Sequence, residues 1–243
     1  MEISSAELQI KLKEFFGFDH FKGEQEEIIK ENLQKHIELY GEDIPFQMHP
    51  QIRSRQACIE CTKRAIDLAI ANNTKLHILH ISTADEIEMI KQAQKINNKI
   101  TGEVCVHYMW FNDTHYEKYG SRIKCNPAIK SQEDMFAIRK AVKEGVIKVV
   151  ATDHAPHLES EKENNYLKAP SGLPLVQHSL QLMIELTKQN ILSIEDVVSR
   201  MSHGPAECFN IEKRGFIKEG YYADLAIVNL NCPDNKSTAS PAY

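Results

Sequence analysis

The feature that most constrains the fold is an alternation of short apolar runs with helical patterns, which begins at Gly41. Helical patterns at residues 54–71, 83–97 and 131–144 separate the apolar runs. Such alternation is typical of βα units built around a parallel sheet. The predicted strands lie in four runs: IPFQMHP (44–50), KLHILHIS (75–82), ITGEVCVHYMWF (100–111) and VIKVVATDHAP (146–156). The sequence therefore predicts an α/β fold of about four βα units.

Capping residues predict where helices begin and end, and the patterns near the two ends of the sequence predict separate parts of the chain. The stretch Ser82–Glu86 predicts a helix start and Gly145 a helix end. Residues 1–36 carry two helical patterns without a strand and are predicted to form a helical leader, whereas residues 37–210 form the α/β part. Two later helices are expected at about residues 173–187 and 194–201. Residues 211–243 are interpreted as a return strand, GYYADLAIVNL (220–230), and a frayed polar tail.

Composition excludes several classes of protein. The formal net charge is −5, so no broad basic surface favours binding of nucleic acid. No apolar run approaches the roughly 18 residues of a membrane span, and the first 16 residues lack the apolar core of a signal peptide. The 6 cysteines are interpreted as reduced thiols. These features predict a cytoplasmic protein.

Residues that bind metals or move protons follow the predicted strands. His49 ends the first strand, His80 the second and Asp153 the fourth, while His107 lies in the third. The carboxyl ends of strands in a parallel barrel share one face, so these side chains are expected to converge. Two imidazoles and a carboxylate suit Zn²⁺. A metal-bound hydroxide beside an aspartate base is competent for amide hydrolysis.

Other candidates have simpler interpretations. His77 and His80 lie on opposite faces of one strand, and the strand-end position favours His80. The pair Cys58 and Cys61 has no second CxxC partner, so it is interpreted as two neighbours on a helix.

Six motifs in order resemble dihydroorotases, which are cyclic amidohydrolases of the amidohydrolase superfamily. These motifs are HILHIST, TGEVCVHYMWF, KCNPAIK, VVATDHAPH, SGLPLVQHS and GYYADLAIV. The resemblance covers about residues 37–230 and implies a TIM-type (β/α)₈ barrel, of which this chain carries a part. The implied reaction is the reversible cyclisation of N-carbamoyl-L-aspartate to dihydroorotate in pyrimidine biosynthesis.

The resemblance also implies roles for individual residues. His49 and His80 match the two histidines of the second metal. Asp153 matches the aspartate that binds the first metal and serves as general acid and base. The positions expected to contact the substrate are Asn126, His157, Ser171 and Gly172.

The sequence departs from the family pattern in two places. No HxH pair precedes His49, and the residue that bridges the two metals has no counterpart. We therefore expect at most one zinc ion where the family binds two, and a site that one copy of the chain leaves incomplete. A homo-oligomer or a complementing chain is the corresponding partner expectation.

The leader has a separate resemblance, to the opening segment of RecQ-type DNA helicases at about residues 12–33. Phe18, Lys22 and Gln25 match the residues that contact adenine in that family. No GxxxxGK[ST] loop follows, so nucleotide hydrolysis is not indicated. Three hypotheses stand at this point: a dihydroorotase-like enzyme, a non-catalytic half-barrel that serves as an interaction module, and a DNA- or ATP-binding fragment.

Overall fold

A parallel sheet of three strands forms the centre of the structure, a computed structural model that describes residues 24–230. The strands are β1 (Leu76–Ile78), β2 (Ile100–Cys105) and β3 (Val149–Ala151), and they lie in the order β1-β2-β3. Leu76 pairs with Ile100, and Glu103 pairs with Val149. Each strand thus lies beside its neighbour in the chain, as expected of consecutive βα units.

Helices connect the strands and flank the sheet. In chain order, and within the described residues, they are α1 (Glu24–Tyr40), α2 (His49–Ile52), α3 (Arg55–Ala71), α4 (Ala84–Ile96), α5 (Val106–Trp110), α6 (Tyr116–Tyr119), α7 (Gln132–Glu144), α8 (Glu159–Lys162), α9 (Ser179–Lys188), α10 (Ile194–Val198) and α11 (Gly204–Cys208). Short 3₁₀ turns cover Phe46–Met48, Asp113–His115 and Gly120–Ile123, and a π-helical turn covers Ser199–His203.

The first predicted strand, residues 44–50, is wrong. This run forms the 3₁₀ turn Phe46–Met48 and the start of α2. Pro50 has no N–H to give to a sheet, and it occupies the first turn of α2, where a missing N–H costs nothing. His49 therefore lies in a helix and not at the end of a strand.

The predicted return strand over residues 220–230 is also wrong, because these residues form no strand. Ile227 is 99% exposed and Leu225 is 62% exposed. An apolar alternating segment becomes a strand only when a neighbouring strand accepts its hydrogen bonds. Nothing in the described residues provides that neighbour.

The remaining elements follow the sequence more closely. The other three strands are present but shorter than predicted, and the run 100–111 turns into α5 after Cys105. Thr83 and Glu86 form a capping box at the start of α4, and Gly145 ends α7 in the left-handed conformation, both as predicted. The first of the two late helices begins at Ser179, later than predicted.

The main hydrophobic core lies between the sheet and α4, α7 and α9, and it includes Ile90, Val104 and Met183. A smaller cluster joins Ile37 of α1 to Ile52 and Tyr166. The second helical stretch of the predicted leader is thus a helix packed on the α/β part, and it runs through the predicted boundary at residue 36. The first leader helix, Phe18, Lys22 and the predicted frayed tail lie outside the described residues. Within residues 24–230, no helix is long and apolar enough to cross a membrane.

Candidate active site

Three distant parts of the chain meet at residues 124–127, which we call the 124–127 segment. The Cys125 carbonyl lies 2.8 Å from Nε2 of His49, and the Lys124 carbonyl accepts the Gly172 N–H at 2.9 Å. Asn126 and His80 line one cavity. The fold therefore gathers residues that are far apart in sequence.

Asp153 lies two residues beyond β3 and is exposed. Its φ of 46° is in the left-handed region, which aspartate tolerates better than most residues, and it turns the chain away from the sheet. Burial raises the pKa of Cys125 to about 12, and the Asp153 carboxylate is among the charges that raise it further. Burial and then Asp153 likewise raise the pKa of Cys105. Asp153 thus lies near the ends of β2 and of the 124–127 segment.

His80 and His107 lie close together at the same end of the sheet. His107 is fully buried, and among the described residues neither of its ring nitrogens has a hydrogen-bond partner. Burial lowers the pKa of His107 to about 3, and the charge of His80 lowers it further. His80 is partly exposed and lies two residues beyond β1. His77, which remains in the strand, instead contacts Thr101 and Glu103.

His157, Ser171 and Gly172 form one corner of the site. Nε2 of His157 lies 3.3 Å from the Ser171 carbonyl, and the Ala155 N–H donates to Leu173 at 3.0 Å. A Cβ atom at position 172 would lie 2.5 Å from the Ala155 carbonyl oxygen, and φ there is 151°. Only glycine allows this close approach of the two loops.

Two buried lysines hold the loop that follows α8. The Lys162 ammonium donates to the Gly172, Pro170 and Lys124 carbonyls at 3.0, 3.0 and 3.3 Å. The Lys124 ammonium donates to the Tyr166 and Ala169 carbonyls at 2.7 and 2.6 Å. Burial lowers the pKa of both lysines to about 8. The lysines thus fix Gly172 against the 124–127 segment.

His49 occupies a different environment from the one predicted for it. Its Nδ1 lies 2.7 Å from the Tyr166 hydroxyl, so both ring nitrogens are engaged. Burial lowers the pKa of His49 to about 3, and Lys124, Lys130 and Arg53 lower it further. In this arrangement His49 has no free ring nitrogen for a metal, and it is surrounded by positive charge.

The residues that the structure describes do not by themselves fit a zinc ion. Within residues 24–230, no three His, Cys, Asp or Glu side chains lie close enough together to hold a metal. His80 and Asp153 are positioned at the same end of the sheet, but a zinc site needs at least three protein ligands.

Sequence reasoning missed Arg53, Lys124, Lys162 and Tyr166. Lys162 stands in the charged run Glu159–Glu163, where a lysine is normally solvated, so no local signal marks it as buried. Arg53 directly precedes Ser54, the N-cap residue of α3. Its place before a helix start is the sequence feature that could have marked it.

A comparison of the sequence with models of known protein families gives a match over most of the chain. The family model described as "Amidohydrolase family" matches residues 20–242, which includes part of the predicted leader. The chain belongs to the amidohydrolase family.

Among curated relatives of this amidohydrolase, a dihydroorotase of Endomicrobium trichonymphae is 40% identical over 168 residues, 69% of this chain and 40% of that protein. A dihydroorotase of Methanosarcina acetivorans is 30% identical over 200 residues, 79% of this chain and 43% of that protein. The chain thus spans about 40% of the length of these relatives. It is a dihydroorotase-like amidohydrolase.

Solved structures confirm the predicted fold class. The L-hydantoinase (dihydropyrimidinase) from Arthrobacter aurescens superimposes with a TM-score of 0.75 at 24% identity, over 81% of this chain and 44% of that one. A dihydropyrimidinase from Brevibacillus agri gives 0.74 at 21% identity, over 81% and 44%. These neighbours are TIM-barrel amidohydrolases, so the amidohydrolase described here is an α/β protein with part of such a barrel.

Proposed function

We propose that this chain carries part of the active site of a dihydroorotase-like enzyme, which interconverts dihydroorotate and N-carbamoyl-L-aspartate. The observation that carries the proposal is that Asp153, His80 and Gly172 lie around the 124–127 segment, which contains Asn126. Its similarity to curated dihydroorotases supports the substrate.

Each residue has a proposed task. Asp153 is exposed beside the 124–127 segment, where a carboxylate can accept and return the proton of the ring amide. Asn126 offers both a donor and an acceptor to the ring. His157, Ser171 and the backbone of Gly172 form the wall that positions the ring, and Lys162 holds that wall in place.

The experiment is dihydroorotate hydrolysis with added Zn²⁺ by the wild-type chain and by Asp153→Ala. Loss of the general acid and base is expected to lower the rate at least about 100-fold. Asp67→Asn, which changes an exposed carboxylate on α3, is the matched control and is expected to keep the wild-type rate. Equal rates for wild type and Asp153→Ala would end the proposal of catalysis.

The zinc content of the purified chain is a separate prediction. Since the described residues supply no three-ligand cluster, we expect less than one equivalent of zinc per purified chain, as measured by plasma emission spectroscopy. Addition of a complementing chain is expected to raise this value. Two equivalents on the chain alone would contradict the incomplete donor set.

The second candidate is a non-catalytic half-barrel that pairs with another copy or with a complementing chain. The exposed apolar residues of the 220–230 segment favour it. Full activity of a monomer in the hydrolysis assay would exclude this candidate.

A further inference from the structure

A second cluster of reactive side chains lies on the sheet and shares no residue with the candidate active site. Cys208, the last residue of α11, places its Sγ 3.3 Å from Nδ1 of His77 in β1. Nε2 of the same imidazole lies 3.1 Å from Oε2 of Glu103 in β2. A thiol, an imidazole and a carboxylate thus stand in series, an arrangement that activates cysteine nucleophiles in proteins. We call these three residues the Cys208 triad.

Glu103 decides which nitrogen of His77 faces the thiol as an acceptor. A carboxylate only accepts hydrogen bonds, so Nε2 carries the proton in the neutral ring and Nδ1 is left with a lone pair. The Thr101 hydroxyl lies 2.8 Å from Nδ1 and 3.3 Å from the Leu76 carbonyl, so it has a second acceptor when the thiol donates to Nδ1. Once the thiol proton has passed to the ring, the imidazolium donates to both the carboxylate and the thiolate, and charge strengthens both hydrogen bonds.

The charges around Cys208 also favour its thiolate. Cys208 ends a helix, and the free carbonyls at a helix C-terminus disfavour negative charge. The Lys75 ammonium, however, donates to the Cys208 carbonyl itself, so it satisfies one of these carbonyls and brings a positive charge near the thiol. Glu207, the acid next to Cys208 in the sequence, is paired with Lys148 at 2.5 Å.

The Cys208 triad is largely but not completely buried. Cys208 is 5% exposed, and the side chains of His77 and Glu103 are 10% and 12% exposed. The Phe209 ring packs edge-on against the His77 imidazole, with 5.2 Å between the ring centroids, and covers part of the triad. Such a site admits a small solute more readily than a large one.

We propose that Cys208 is a redox-sensitive thiol, activated by His77 and Glu103, which small hydroperoxides oxidise to a sulfenic acid. The thiol proton passes to Nδ1 of His77, and the sulfur electron pair then attacks one peroxide oxygen. An S–O bond forms as the O–O bond breaks, and the leaving oxygen takes the proton from His77. With hydrogen peroxide the products are the sulfenic acid and water, so the sulfur loses two electrons and the peroxide gains two.

The first experiment treats the full wild-type chain with hydrogen peroxide and traps sulfenic acid with dimedone, and peptide mass spectrometry follows each cysteine separately. Cys61 of α3 is the internal control, because it is exposed whereas Cys208 is buried. Cys208 is nevertheless expected to be labelled at least about tenfold faster than Cys61, because an imidazole base assists its thiol. In urea, where the triad is lost, the two rates should become similar. A folded chain in which Cys61 is labelled as fast as Cys208 would overturn the proposal.

Variants test the base directly. His77→Gln is expected to slow the labelling of Cys208 at least about tenfold and to leave Cys61 unchanged. His36→Gln, which removes an imidazole from α1, is the matched control and should keep the wild-type rate. An unchanged rate at Cys208 in folded His77→Gln would contradict the role of His77. Because the comparison with Cys61 uses the wild-type chain, it decides the proposal even where a variant does not fold.

Glu103 is a positioning residue, since it acts on the thiol through His77, and the pH profile of Cys208 alkylation by iodoacetamide tests it. Its carboxylate stabilises the imidazolium, so Glu103→Gln should move the profile to higher pH by about one unit, and Glu103→Asp should restore part of the shift. These substitutions keep the other charged or titratable groups of the described elements around Cys208, which are Lys75, Lys148, Arg200, His203 and Glu207. The same profile in wild type and Glu103→Gln would reduce Glu103 to a structural contact and overturn its part in the activation.

Discussion

At the scale of single residues, two buried imidazoles make the fold sensitive to acid. Burial lowers the pKa of His49 and of His107 to about 3, from 6.5 in the unfolded chain. Between about pH 3 and pH 6.5, the two histidines are protonated in the unfolded chain but neutral in the folded chain. The free energy of unfolding therefore falls as the pH drops below about 6.5, by up to about 1.4 kcal/mol per pH unit for each histidine.

Urea unfolding at several pH values between about 7 and 5 measures this slope. His107→Leu is expected to reduce it, because one titrating imidazole is removed from the folded core. His36→Gln, on the partly exposed face of α1, is the control that should leave the slope unchanged. A slope that is the same in wild type and His107→Leu would show that His107 does not contribute.

Motifs can select candidate site residues, but they do not predict the contacts of those residues. Asp153, Asn126 and Gly172 were selected from motifs, and their roles stay predictions. The partner of His49 could not be predicted, because Tyr166 lies more than a hundred residues away and belongs to no motif. Likewise, a burial site for Lys162 arises only when the Lys124 carbonyl comes close to two carbonyls of the loop at Pro170 and Gly172.

At the scale of elements, Asp134 connects three helices. Its buried carboxylate caps α7 through Ser131, accepts the Ala84 N–H at the start of α4 at 2.8 Å, and pairs with Arg55 of α3 at 2.5 Å. Asp134→Ala leaves these donors unpaired, so we expect a loss of about 3 kcal/mol in the free energy of unfolding by urea.

Asp85→Ala is the matched control for this change. Asp85 also pairs with Arg55, but its side chain is 47% exposed, so we expect a loss below about 1 kcal/mol. Similar losses in the two variants would contradict a bridging role for Asp134.

Element type was predictable where local signals and tertiary context agree. The capping residues before α4 and α7 act within one turn, and both helix starts were located from sequence. The run 44–50 has strand-like composition, but it contains two prolines and no strand of the described residues pairs with it, so it is helical. The predicted strand over residues 220–230 was wrong for a related reason. The alternating pattern places apolar residues on one face of a strand, but the described residues provide no neighbouring strand for it to pair with.

At the scale of the whole molecule, apolar surface is concentrated near the end of the described chain. Ile217 is 91% exposed and Ile227 is 99% exposed, and residues 227–230 border a cavity of about 950 Å³ beside α9. In the described residues, β1 and β3 each pair with β2 alone. Unpaired edges and apolar surface favour association.

We therefore expect the chain to self-associate as its concentration rises, as measured by sedimentation velocity. Leu225→Lys with Ile227→Lys should weaken the association, because two charges replace exposed apolar side chains of the 220–230 segment. Phe136→Lys, at a half-exposed position on α7, is the control and should associate as wild type. A cooperative monomer at every concentration would contradict both this expectation and the interaction-module hypothesis.

The agreement between chain order and sheet order also bears on synthesis. β1 and β2, joined by α4, complete a βαβ unit within residues 76–105. β3 then joins an edge that has already been made. During translation, the partner of each strand after the first has already been synthesised when that strand leaves the ribosome. Folding of such a sheet can therefore begin before translation ends. The sheet is thus suited to assembly from its N-terminal side, one strand at a time.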